Sequence, residues 1–515
     1  MINFAEPSTA KRSTFSVIYN IIRAGVGFST AMLLARWLGP EVYGVLAFLV
    51  ASLLAARGLI DMSASQAFFT FLSQRPRSKK FVYIFLLWIV FQLILSVLVI
   101  AVILPDSYIN SIWQGQSRSL IVLALIAVFM QHQVYQIALS MAEASRQTLR
   151  VQSLTLIMSV FHLLTIVALW VWDLLILPII FGVLILEWTA ASFIAAKMYV
   201  TSPGEGNDSD DSIQSVFREF WLYCKPLIPY VWLGFFYVFV DRWLLQIWGG
   251  SEEQAYYAVA FQISSVSLLA TAAILKVFWK EVAEAYKLNN ISLVQNLYTK
   301  TTRILFVISA IIGGAIIPWS EEVLSLILGV SYSQGAVTFT IMLLYPLYQC
   351  LGQINGTVFY ATENVKIQAN LGYVFMVTSI VVTYLLLAPA TYALPGMALE
   401  SKGLAIKMLL MGFLHATASS YIITRKFGVK FDLIHQVIVL FLVLALAFIS
   451  KLAISSVFSL SLVPEMIIAT LCYLFSMIIV FISFPGLISS SRDEINATGS
   501  LILNKVRLTA LTLKN

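Results

Sequence analysis

Apolar runs of about twenty residues, the length that crosses a hydrocarbon core, follow one another almost end to end along this chain, separated by short polar turns. They fall at about 14–38, 41–72, 81–104, 118–143, 150–172, 175–197, 222–248, 255–279, 301–318, 336–360, 366–388, 403–424, 433–453 and 464–484. The pattern predicts an all-α polytopic membrane protein of about 14 transmembrane helices, the second interrupted at Gly58. Residues 1–13 are polar, and the run after them is too long for a signal-peptide core and lacks a small-residue cleavage site, so it is read as a span.

The runs repeat. Leu33–Phe48 (LLARWLGPEVYGVLAF) joins two apolar helices through Gly39-Pro40-Glu41, where glycine ends one helix and proline pre-sets the next. About 210 residues on, Leu244–Phe261 (LLQIWGGSEEQAYYAVAF) has the same order: apolar helix, Gly249-Gly250, acids, tyrosines, then a helix start. A second pair, Met141–Gln152 and Tyr360–Asn370, places a small residue, a glutamate and a cation after spans four and ten. Two halves of six spans each keep one orientation, which predicts a pseudo-two-fold axis along the membrane normal and a cavity between two six-helix lobes. The expected organisation is an N-terminal lobe over 1–200, a polar cytoplasmic linker over 201–221, a C-terminal lobe over 222–430, and two extra helices with a tail over 431–515.

Composition agrees: 60% of the 515 residues are hydrophobic and 11% charged, against about 25% charged in soluble chains. The mean hydropathy is +0.89. The net charge of +7 is explained by its placement and gives no reason to expect a nucleic-acid partner. Threaded from an inside N-terminus, one face collects Lys11, Arg12, the Arg75–Lys80 cluster, Arg146, Arg150, Lys366, Arg425 and Lys426, while the other receives little beyond Arg36, Arg118, Arg242, Lys402 and Lys451. The positive-inside rule then puts both termini in the cytoplasm. Cys224, Cys350 and Cys472 lie in or beside apolar runs, form no CxxC, and read as free thiols.

At Ala35-Arg36-x-Leu38-Gly39-Pro40-Glu41-x-Tyr43-Gly44, Asp241-Arg242 with Tyr257-x-x-Ala260, and Lys402-Gly403-Leu404-Ala405, the chain resembles the oligosaccharide flippases of bacterial polysaccharide export. These belong to the multidrug/oligosaccharidyl-lipid/polysaccharide exporter (MOP) superfamily, with the lipid II flippases and the MATE drug exporters. The likeness covers about 1–430, with two departures: Asp61-Met62-Ser63 where a glycine is expected, and Lys407 in an apolar span. The resemblance implies a MATE-like fold in the bacterial inner membrane and transport of undecaprenyl-pyrophosphate-linked oligosaccharide units for O-antigen or exopolysaccharide. The partners it implies are that lipid, the surrounding membrane lipids, and a polymerase with other polysaccharide-assembly proteins.

Ionisable groups inside spans are the candidate site, since each costs roughly 2.5–3.5 kcal/mol at mid-helix. Arg23, Arg57, Lys276 and Arg303 are the candidate cations for a diphosphate headgroup; the rival reading is snorkelling or internal pairing, Arg57 with Asp61 at i+4. Span four offers a polar face at His132, Gln136, Ser140 and Glu143, and span ten one at Tyr345, Gln349, Gln353 and Gly356, suited to sugar or to interhelical hydrogen bonds. Asp241 and Arg242 are adjacent, point about 100 degrees apart, and read as structural ties from span seven to a neighbour. No P-loop occurs and no cofactor or metal site is expected; proton, sodium or membrane potential are the candidate drives, with Asp61 and Glu187 as intramembrane carboxylates. The competing functions are a MATE-type drug exporter, a lipid II flippase, and, less favoured, a membrane polysaccharide polymerase. An enzyme is disfavoured because His132, His162, His415 and His435 form no motif and the outer loops are short.

Overall fold

A computed structural model of the protein describes residues 9–75, 77–145, 147–198, 212–430 and 432–488. Most of the expected linker, the C-terminal tail, the side chains of Lys11 and Arg12, and Arg146 lie outside these residues. The described chain is helical throughout, and twelve of its helices are long and apolar enough to cross a membrane. Two of the twelve are double. Helix Thr9–Asp61 is broken at Gly39 and helix Ile228–Ser264 at Gly250. Each limb is then one span, and the total is the fourteen that the apolar runs predict. Spans one and two are the limbs 9–38 and 40–61, and span seven is the limb 228–249. Span eight starts at 251 and continues into Leu268–Lys287.

The two breaks share one backbone conformation. Gly39 has φ 72 and ψ 168, Gly250 φ 79 and ψ −173. That is a left-handed φ with extended ψ, a region essentially restricted to glycine. The sequence repeat is therefore a structural one at its most constrained residues. The turns also touch: Gly44, in the first turns after Gly39, lies against the backbone of Ser251, and a β-carbon there would overlap the Ser251 carbonyl.

Span two holds a difference from expectation. Gly58 stays helical, and the break comes at Met62 and Ser63, both left-handed at φ 49 and φ 67. Ser63 is where the resemblance expects glycine, so the strain follows from the sequence departure. Asp61 offsets it by capping the next helix, Ala64–Gln74, its carboxylate accepting from the Ser65 N–H at 3.2 Å and the Ser65 hydroxyl at 2.6 Å. Span nine also begins earlier, at Ile291 and not near 301, because Asn290 caps a helix whose polar residues between Gln295 and Arg303 interrupt the apolar run.

Packing divides the chain into two compact units that do not coincide with the halves of the repeat. The first takes the residues up to 259 with 327–335 and 376–404. One of its cores is aromatic, built from Phe68, Phe71, Phe81, Phe85 and Phe129. Helix Ile213–Cys224, at the end of the polar segment, packs onto it through Val216 and Cys224. Arg77 fixes that helix, bonding Glu219 at 2.5 and 2.9 Å while stacking on Phe81. Burial pushes the Cys224 thiol up to about 11, as expected for an inert structural cysteine.

The second unit takes 260–326, 336–375 and 405 onwards. Its core runs through Val282, Leu305, Phe306, Ile354, Phe359 and Ala416. Spans thirteen (Leu433–Val457) and fourteen (Leu462–Ser483) attach here, with Val443 and Tyr473 seated on Gly314 of span nine.

Substituting Gly44→Ala forces the Ser251 turn away. Overpacking of this kind costs about 1–3 kcal/mol, so the variant is expected to melt at a lower temperature in detergent. A wild-type melting point would contradict the close approach.

Candidate functional site

The polar centre of the first unit lies between spans two and four. Span four, Arg118–Ala144, is not a uniform α-helix: residues Met130–Val134 form a π-helical turn. Such wide turns are frequent at functional positions. The His132 carbonyl, inside this turn, accepts a hydrogen bond from Nη1 of Arg57. The next residue, Gln133, is buried and donates from Nε2 to Asp61 at 2.7 Å and to the Ser65 hydroxyl at 2.9 Å.

Arg57 and Asp61 therefore share a helical face without pairing. The carboxylate is saturated by Ser65 and Gln133, and the guanidinium has one carbonyl and a buried Nε without a partner among the described residues. Arg57 is half-buried. Arg23, on the other limb across Gly39, is exposed and among the described residues hydrogen-bonds Asn20, at 3.4 Å. Arg23 and Arg57 stand 16 and 18 residues from Gly39, about 24 and 27 Å along their helices, so the two cations lie at similar distances from the kink.

Of the other two candidate cations, Lys276 is exposed on helix Leu268–Lys287 and carries no ion pair among the described residues. Arg303 is committed. Its guanidinium is bidentate to Asp432, at 2.6 and 2.9 Å, and bonds the Gly486 carbonyl at 2.9 Å, tying span nine to the start of span thirteen and the end of fourteen. This is the internal-pairing alternative, realised through a residue 129 positions away.

The polar faces divide. On span four, His132 is half-buried against Arg57 and Gln136 is exposed. On span ten the helix restarts at Tyr345, which is buried against Phe261. Gln349 and Gln353 instead line a concavity of about 370 Å³ within the second unit.

Asp241 is buried and accepts from the Thr383 hydroxyl at 2.7 Å, tying span seven to span eleven. Arg242 lies over the Tyr257 ring at 4.5 Å, and its carbonyl accepts from Gln254 at 3.1 Å. Lys407 is fully buried.

Glu187 gains a partner that the sequence does not announce. Its Oε2 lies 2.6 Å from Nδ1 of His162, joining spans six and five, while Oε1 is buried without a partner among the described residues. The site residues missed by sequence reasoning are thus Gln133, Ser65 and His162. The first two depend on the π-turn and the helix break, and the third on a pairing across 25 residues that no motif marks. Among the described residues no three His, Cys, Asp or Glu side chains converge as metal ligands.

No protein-family model and no curated sequence matches the chain. Solved structures do. One described as the lipid II flippase MurJ in an inward closed conformation aligns with a TM-score of 0.68 at 14% identity, over 91% of this chain and 98% of that one. An inward-facing multidrug resistance MATE transporter of the MOP superfamily gives 0.58 at 14%, over 80% and 98%. A MOP superfamily transporter from Pyrococcus furiosus Vc1 (DSM3638), described by the reversed polarity of its binding pocket, gives 0.51 at 13%, over 80% and 95%. At these identities the likeness establishes the fold, an all-helical MATE-like architecture, and its twelve helices long and apolar enough to cross a membrane fit a multi-pass membrane protein.

His162→Ala strips Glu187 of its one partner. Leaving a buried acceptor unmatched costs about 1–3 kcal/mol, so this variant is expected to melt well below wild type, and the double variant His162→Leu/Glu187→Leu to recover most of the difference. Equal melting of all three would mean the pair is not formed.

Proposed function

We propose that this chain is a flippase that carries an undecaprenyl-pyrophosphate-linked oligosaccharide from the inner to the outer leaflet of the bacterial cytoplasmic membrane by alternating access. The observation that carries the reading is Arg57: a half-buried guanidinium inside an apolar span with no carboxylate partner and one nitrogen unmatched. Such a group calls for an anion, and arginine's planar fork suits a diphosphate. The exposed cations Arg23 and Lys276 add to the same preference. They weigh against an exporter of cationic drugs, for which an acidic site is the better fit. The fold shared with a structure described as a lipid II flippase supports the class of cargo.

The drive fits Glu187 better than Asp61. Asp61 accepts hydrogen bonds from three groups and caps a helix, which commits it to a structural role. Glu187 caps no helix: one oxygen is unmatched among the described residues and the other lies 2.6 Å from the His162 imidazole, so it is the carboxylate proposed for coupling. In this reading both termini face the cytoplasm, as the cation asymmetry of the loops requires.

The test is binding of undecaprenyl pyrophosphate to purified protein. Losing a charge-assisted hydrogen bond costs about 1.5–3 kcal/mol, so Arg57→Ala is expected to weaken binding about tenfold or more. Arg57→Lys keeps the charge without the fork and is expected to fall between. Unchanged affinity in Arg57→Ala would remove the residue from headgroup recognition.

A further inference from the structure

The concavity on span ten has a chemistry distinct from the cationic site. Trp279 and Tyr360 stack over one another, rings parallel within 5° and centroids 5.8 Å apart, and both are nearly half exposed. Beside them are three primary amides, Gln349, Gln353 and Gln368, with His415 behind Gly352. Gln349 and Gln353 form no side-chain hydrogen bond among the described residues, and Oε1 of Gln368 is buried without a partner. Gly352 and Gly356 recur at i and i+4 on the same face, so no side chain from span ten fills the space between the amides. No Asp, Glu, Lys or Arg lines the concavity.

Three unmatched amides are poorly placed against acyl chains, where each unpaired polar group is costly. They also do not serve as interhelical glue, since they do not bond to one another or to the neighbouring helices. What they offer is paired donors and acceptors at the edge of an aromatic platform. That combination matches a pyranose: hydroxyls around the ring edge take the amides, and the C–H face lies on the aromatic surface. The volume is at the lower end of the ~300–1,000 Å³ of small-ligand pockets. An ionised sugar finds no counter-charge here.

We propose that this concavity is a glycan subsite for one uncharged sugar residue of the transported lipid, with Trp279 and Tyr360 as the stacking platform and Gln349, Gln353 and Gln368 as the hydroxyl readers. The proposal rests on the flippase reading and deepens it by naming the class of sugar the transported lipid carries.

Three defined probes separate the two: undecaprenyl pyrophosphate alone, the same lipid carrying one neutral hexose, and the same lipid carrying one hexuronic acid. Wild-type protein is expected to bind the neutral-sugar lipid about tenfold more tightly than the bare lipid, with no gain for the uronate. Trp279→Ala and Gln353→Leu are each expected to erase most of that gain and leave bare-lipid affinity unchanged. Trp279 is half exposed, so its truncation does not hollow the core, and Gln353→Leu keeps the side-chain volume. Equal affinity of wild type for bare and neutral-sugar lipid, or a gain that survives both variants, overturns the subsite while leaving the headgroup reading intact. A larger gain for the uronate overturns the claim of an uncharged sugar. Failure to bind any of the three overturns the flippase reading, and the subsite with it.

Discussion

A guanidinium within an apolar span has to be solvated by the protein, by water the protein admits, or by an anion. For Arg57 the protein supplies one carbonyl, that of His132, and stops there. The carboxylate four residues along the same helix could neutralise it, and the fold spends that carboxylate elsewhere, on Ser65 and on Gln133. The π-turn of span four makes both arrangements at once, since consecutive residues 132 and 133 hold the cation and the acid apart. A cation in an apolar span is costly, and this incomplete pairing among the described residues is the feature on which the proposed anion site rests. The contrast with Arg303 is instructive. That guanidinium is fully matched by Asp432 and Gly486, and it acts as a structural clamp.

The architecture was largely readable from the order of residues, because bilayer thickness fixes span length and glycine marks the two breaks. Gly39 and Gly250 could be paired from their flanking patterns alone, and they adopt the same rare backbone conformation. What could not be read was anything set by local helical irregularity or distant pairing. The π-turn at 130–134 leaves no compositional trace, so Gln133 passed unnoticed while its neighbour His132 stood out. Gly58 looked like the natural break in span two, yet helices tolerate a single glycine, and the chain breaks where Asp61 can cap. Arg303 with Asp432 and His162 with Glu187 are pairs whose partners lie on other spans. On span ten Gln349 and Gln353 line one concavity, while Tyr345, expected on the same face, is buried where the helix restarts.

Each unit carries its own part of the chemistry. The first holds Arg57, Arg23, the capped Asp61 and the Glu187–His162 pair. The second holds the uncharged amide concavity with its aromatic pair. A lipid-linked sugar presents those same two chemistries in one molecule, a multiply charged diphosphate and a neutral polyhydroxyl ring.

The most direct measurement is transfer itself. Purified protein in vesicles loaded with a fluorescent polyprenyl-diphosphate sugar should move the label between leaflets much faster than protein-free vesicles, and Arg57→Ala should fall back to the protein-free rate. Transfer no faster than in empty vesicles under an imposed proton gradient, sodium gradient or membrane potential would contradict the account.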